Sequence, residues 1–200
     1  MPRLRSVQLL LMVLIKKIEI NSTGNLTLTG KGAPVAAMSK KNIDVGAVNG
    51  AVLTISGEKV TITDIGTDRK SETSFLAGAR DSGSIIFDNV VTEIDVGNSE
   101  INHVGIFAGN GAVTFTENTG ILNIGAGTGI YVADNGSFTF NNTQGSLNVT
   151  NQGTGIYMQG GSVSIKGSET VIKAVSDDGL KGNSACLLYT SPSPRDLSTS

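Results

Sequence analysis

The chain has 200 residues with no Trp, 4% aromatic and 38% hydrophobic residues, and 26 glycines, about twice the glycine share of globular proteins. A compact core built on large aromatics is therefore not expected. The formal net charge is -2, and Lys and Arg are scattered and form no stripe, which excludes nucleic acid as a partner.

In chain order, the segment 1–17, MPRLRSVQLLLMVLIKK, has a basic start at Arg3 and Arg5 and an apolar run from Val7 to Ile15. The run is too short to span a membrane as a helix, and no small-residue cleavage site follows it. It reads as a signal-peptide remnant, a mis-assigned start, or a short helix covering the open end of a solenoid. Strand candidates follow at Ile18–Ile20, Leu26–Leu28, Val35–Met38 and Ile43–Val45, with their mutual register open. Ala51–Ile55, Val60–Ile62 and Phe75–Ala77 form a three-strand unit, with Thr67–Ser74 (TDRKSETS) as a polar insertion at a corner. Gly83–Phe87, Ile94–Val96 and Gly105–Phe107 form the next.

From Gly111 the repetition is open. GAVTFTENTGILNIGAGTGIYVADN is followed by GSFTFNNTQGSLNVTNQGTGIYMQG and then by GSVSIKG, so Gly111, Gly136 and Gly161 start units of about 25 residues. Val113-Thr114-Phe115 matches Phe138-Thr139-Phe140 and Val163-Ser164-Ile165. Leu122-Asn123-Ile124 matches Leu147-Asn148-Val149, and Gly129-Ile130-Tyr131 matches Gly155-Ile156-Tyr157. Three strands per unit predict an all-β fold: a right-handed, single-stranded parallel β-helix over residues 18–175, of about six coils of roughly 25 residues. One such coil buries too few aliphatics to offset the ordering of its backbone, so coils must stack at about 4.8 Å and share parallel ladders.

Alternation then assigns the faces. Val113, Phe115, Phe138, Phe140, Val163 and Ile165 point inward, and Thr114, Thr139 and Ser164 form an outer polar ladder. Ile130 and Val132 lie inward above Ile156 and Met158. Phe107, Tyr131 and Tyr157 form an exposed aromatic column, the candidate contact surface of the chain. The recurrent Gly and Asn at strand ends suit corners that need positive φ.

The end of the chain differs in character. CLLYTSPSPRD, Cys186 to Asp196, resembles the translation of a transposase adapter used in sequencing-library preparation, so residues 186–200 are set aside from fold reasoning and expected to make few contacts with the coils. The other reading is a native Pro/Ser-rich tail. Residues 176–185 are read as a truncated coil, with further native sequence expected beyond it. The only cysteine, Cys186, falls in this tail, and a thiol-free remainder suits export through an oxidising compartment.

The GIY, LNV and GSVxI elements, rich in Gly, Asn and Thr and without cysteine, resemble the passenger regions of type V autotransporter adhesins, especially the fusobacterial kind, over most of residues 18–175. The resemblance implies a cell-surface, outer-membrane or secreted rod of a Gram-negative bacterium, exported by a C-terminal outer-membrane β-barrel. Its implied partners are a host-cell surface protein, a glycan or other bacterial cells.

Residues with catalytic potential are few. His103, the only histidine, is expected at a corner. Asp88, Glu93 and Asp95 lie close in sequence, as acidic clusters do in Ca²⁺-using pectate-lyase-like β-helices, but the neighbouring repeats offer Thr, Ser and Asn at those heights, so they read as a solvated face. Asp177 and Asp178 are too near the tail to be assigned. GAGTG, Gly125 to Gly129, lacks the spacing and following helix of a nucleotide loop. No catalytic residue, metal ligand or cofactor is assigned, and a structural and adhesive rod, not an enzyme, is expected. The rivals are a β-helix polysaccharide lyase or hydrolase fragment, and the stalk of a passenger whose protease or toxin domain lies elsewhere.

Overall fold

Val, Ile, Leu and Phe alternating with Thr, Ser and Asn build short pleated segments, and tight polar corners return the chain onto itself. The computed structural model describes residues 17–30, 42–64, 74–95, 103–174 and 187–188. They contain no helix. The strands are β1 (Lys17–Asn21), β2 (Asn25–Gly30), β3 (Asn42–Ala47), β4 (Val52–Asp64), β5 (Ser74–Arg80), β6 (Ser84–Asp95), β7 (His103–Gly109), β8 (Ala112–Phe115), β9 (Ile121–Phe140), β10 (Ser146–Ile165), β11 (Glu169–Ala174) and β12 (Leu187–Leu188). The expected strand Val35–Met38, the insertion from Thr67 to Thr73, the segment 1–16, residues 175–186 and the tail after Leu188 lie outside the described residues.

Every pairing is parallel, and together they form a three-faced solenoid. The first face stacks β1, 52–56 of β4, 84–88 of β6, β8, 137–140 of β9 and 162–165 of β10. On the second lie β2, 59–64, 91–95, 121–125, 146–151 and β11. The third is made of β3, β5, β7, 128–133, 154–160 and β12. Four consecutive turns, beginning at Val52, Ser84, Ala112 and Ser137, have a neighbouring turn on both sides. Against the expected six coils, these four are enclosed, and among the described residues the turn at either end pairs with a neighbour on one side only.

Leu122-Asn123-Ile124 pairs residue for residue with Leu147-Asn148-Val149. Asn148 Nδ2 donates to Asn123 Oδ1 at 3.0 Å across an offset of 25 residues, whereas the first turns are longer, with Ser56 bonded to Asn21 35 residues earlier. Much of the extra length of the early turns enters between the second and third faces. One correction concerns register: Thr92-Glu93-Ile94, and not Ile94-Asp95-Val96, faces Leu122-Asn123-Ile124. Thr92 is fully buried at a core position, which breaks the apolar alternation. It is accepted there because the Asn89 amide both donates to and accepts from its hydroxyl, at 2.8 and 3.1 Å.

The interior is one continuous cluster. Ile20, Ile55, Phe87, Phe115, Phe140 and Ile165 stand in register along the first face, and the Phe87 and Phe115 rings stack at 4.5 Å with 4° between planes. The inward residues expected from alternation are inward: Val113, Phe115, Phe138, Phe140, Ile130, Val132, Ile156 and Met158 are buried, and Val163 and Ile165 pack against them at the end of the stack.

The corner between the third and first faces explains the Asn/Asp-Gly recurrence. Asn49, Asp81, Asn110 and Asp134 have φ of 55°, 52°, 52° and 56°, a left-handed conformation that Asn and Asp tolerate best among residues with a side chain. At Gly136 a Cβ would lie 2.1 Å from the carbonyl oxygen of Ala108, and at Gly111 2.6 Å from the Ala79 carbonyl carbon. Glycine is required there by the close approach of one turn's backbone to the previous one.

Two residues of the tail, Leu187 and Leu188, pair in parallel with Ile156 and Tyr157. Few contacts are expected of the tail, and this two-residue pairing is the one its described residues make.

Candidate functional site: the outer aromatic column

The motif Gly-Ile-Tyr acquires a structural meaning on the third face. Leu76 and Ala77 both belong to the interior cluster, although strict alternation would send one of them outward. Register passes from Phe75–Val104 to Ala77–Ile106 with Leu76 and Gly105 left between. Gly105 and Gly129 take the place of Leu76 in later turns: a Cβ at Gly105 would lie 2.5 Å from Ile124 Cγ2, and one at Gly129 2.2 Å from Val149 Cγ1. Two successive positions thus face the core. The first is Gly so that the second-face aliphatics fit, the second is Ile106, Ile130 or Ile156, and the aromatic after it points outward.

Gly78, Phe107, Tyr131 and Tyr157 stand in register on that outer side. The repeat of 25 aligns these motifs only because Gln152 and Gly153 stand opposite the single Gly127, an extra residue recovered between Gly160 and Ser162. The rings form a ladder: Phe107 and Tyr131 have centroids 5.4 Å apart, and Tyr131 and Tyr157 5.1 Å, all tilted. The column has a member that sequence reasoning missed, Phe75, whose ring lies 4.4 Å from Phe107. Its outward direction depends on the irregularity at Leu76; the only sequence signal is the apolar pair Phe75-Leu76 where later turns have polar-Gly or Val-Gly.

The exposure expected of this column is corrected by the structure. Phe107 is only 3% exposed and belongs to a second apolar cluster with Phe75, Val104 and Ala133, against which Ile43 and Tyr131 pack. Gly78 and Gly109 leave room for this: a Cβ at Gly109 would meet the Phe107 ring at 2.3 Å. Tyr131 and Tyr157 are half-buried. The Tyr131 hydroxyl donates to Gln159 Oε1 at 2.7 Å, and burial first, then the neighbouring Tyr157 and Asp134, raises its pKa above the ordinary 10.0. The part of the column open to a partner is therefore the Tyr131–Tyr157 end.

Of the carboxylates named from sequence, Asp88 and Glu93 are held by different partners. Asp88 accepts from Thr116 Oγ1 at 2.6 Å and Asn118 Nδ2 at 2.7 Å, and these hydrogen bonds keep its carboxyl below the usual range. Glu93 pairs with Lys59 at 2.7 Å, and Asp95 is exposed beside Gly125. Among the described residues no three His, Cys, Asp or Glu side chains converge as metal ligands would. His103 opens β7 and is buried. Gly125 to Gly129 run inside β9 and form no loop. No protein family, characterised protein or solved structure matches the chain.

Proposed function

We propose that the chain is a structural and adhesive rod segment of a surface-displayed or secreted bacterial protein, of the autotransporter-passenger type, acting as a spacer that presents contact residues and performing no reaction of its own. The observation that supports this most directly is that outward side chains are used to join one turn to the next. Asn123 bonds to Asn148, Asp88 to Thr116, and Tyr131 to Gln159, each pair linking adjacent turns. A surface committed to axial cross-linking suits a load-bearing rod, and the half-buried tyrosines at Tyr131 and Tyr157 offer ring faces and phenol hydroxyls to a sugar or a protein.

The test displays the chain on cells that do not otherwise adhere and measures attachment to host epithelial cells and to immobilised glycans. Display should confer attachment, and replacing Tyr131 and Tyr157 with Thr should reduce it at least about fivefold, about 1 kcal/mol, while circular dichroism still reports the β fold. Attachment that survives the double substitution moves the contact away from this column. Absence of attachment by the unsubstituted chain removes the adhesive part of the proposal.

A further inference from the structure

We infer that Asn110 is a site of spontaneous covalent modification, at which the folded chain converts asparagine to aspartate or isoaspartate. Three Asn-Gly pairs lie among the described residues: Asn49-Gly50, Asn110-Gly111 and Asn135-Gly136. Glycine has no Cβ to shield its nitrogen, so that nitrogen can attack the side-chain Cγ of the preceding asparagine and close a succinimide ring. The nitrogen gives up its proton and ammonia leaves from the side-chain amide. Water then opens the ring at either carbonyl, so that amide and water become carboxyl and ammonia. The three pairs are not equivalent in the fold. The Gly50 N–H donates to the Asp81 carbonyl at 3.0 Å, which ties the nucleophile of the first pair. Gly136 is buried within β9, away from the water that opens the ring. Gly111 lies between β7 and β8 and is partly exposed. Among the described residues its N–H has no backbone acceptor, and no hydrogen bond holds the exposed Asn110 side chain. The Ser82 N–H donates to the Asn110 carbonyl at 2.6 Å, which draws electron density from the Asn110–Gly111 peptide and eases loss of the Gly111 proton.

The consequence follows from where Asn110 stands. Asn49, Asp81, Asn110 and Asp134 occupy the same left-handed corner in successive turns, about 4.8 Å apart. Asparagine and aspartate alternate along this corner, so neither Asp81 nor Asp134 has the other directly beside it, and Arg80 Nε lies 3.2 Å from the Asp81 carboxylate. Aspartate at position 110 fits the corner, as Asp81 and Asp134 do, but it joins them into an unbroken row of carboxylates that repel one another. Isoaspartate instead adds one backbone atom at a corner that is already tight, since a Cβ at Gly111 would lie 2.6 Å from the Ala79 carbonyl carbon. Either product loosens the stacking of turns there.

The test holds the full chain at mildly alkaline pH, folded and separately unfolded in guanidinium chloride, and follows each Asn-Gly peptide by the mass gain of amide-to-acid conversion. In the folded chain Asn110 should convert at least about fivefold faster than Asn49, the factor that one hydrogen bond on the nucleophile is worth, and faster than Asn135. In the unfolded chain the three rates should draw together. Asn110→Asp, which installs one product at once, should lower the urea midpoint at low salt, and both high salt and a further Asp134→Asn substitution should recover part of the loss. An Asn110 that stays intact in the folded chain, or that converts no faster than Asn49, overturns the site. An Asn110→Asp chain as stable at low salt as the unsubstituted one overturns the repulsion along the corner.

Discussion

Two aromatic columns run along the stacking axis, one on the inner side of the first face and one on the outer side of the third. Inside, Phe87, Phe115, Phe138 and Phe140 are fully buried, with ring centroids 4.5 to 6.5 Å apart from Phe115. Outside, Phe75, Phe107, Tyr131 and Tyr157 keep similar spacing, 4.4 to 5.4 Å. Ring spacing is set by the stacking of turns and is alike in both. What differs is the surroundings: the inner column is enclosed by three faces, whereas the outer one, among the described residues, is covered where Phe75, Val104 and Ala133 cluster around Phe107. Burial therefore falls from Phe107 toward Tyr157 along one column of aligned residues. A position in the repeat does not by itself decide whether its side chain is core or surface.

The comparison is broken most severely at the centre of the inner column. Phe115→Ala should cost about 3–5 kcal/mol in urea unfolding, because the cavity it leaves is walled by Phe87, Phe138 and Phe140 and cannot collapse. Phe107→Ala should cost less, about 2 kcal/mol, since solvent can enter from the outer side. Equal losses at Phe107 and Phe115 would mean that the outer cluster is closed as fully as the interior. Tyr157→Thr, in the half-buried part of the column, should cost about 0.5–1.5 kcal/mol, the worth of one ring contact, read as a small drop in urea midpoint at unchanged slope.

The smallest effect is one of pH. The Tyr131 phenol has a folded pKa raised above the unfolded value near 10.0, so above pH 10 the unfolded state releases a proton that the folded state retains. Its favourable effect is complete below pH 10 and is lost as pH rises through the folded pKa. Tyr131→Phe should flatten the alkaline fall in stability, and phenolate absorbance should show a tyrosine ionising late in the unsubstituted chain only. An unchanged alkaline profile would place Tyr131 in water as free as an ordinary phenol.

The repeat was legible because identical turns impose identical local demands. Val113-Thr114-Phe115 and its copies were paired correctly from sequence alone, since period-two alternation and a constant unit length agree there. Legibility failed where one rule was overridden. Thr92 hid a core position because its hydroxyl is satisfied by Asn89, a contact that no periodicity announces. Phe75 was not placed in the aromatic column because Leu76 is passed over in the pairing and reverses the alternation before it. For the candidate surface, sequence identified the ring ladder and misjudged its exposure, because burial of Phe107 depends on neighbours that reach it across Gly78 and Gly109.

By itself the sequence determined the all-β class, the parallel stack, the inward and outward residues of the regular turns, and the glycine and asparagine corners, because these follow from backbone sterics and from repetition at short range. Only the tertiary structure decided which aligned aromatics are covered, where a polar side chain is accepted in the core, and which partners hold Asp88 and Glu93. Those outcomes depend on which side chains meet between turns and between faces, and that is fixed by irregularities of a single residue that an averaged repeat conceals.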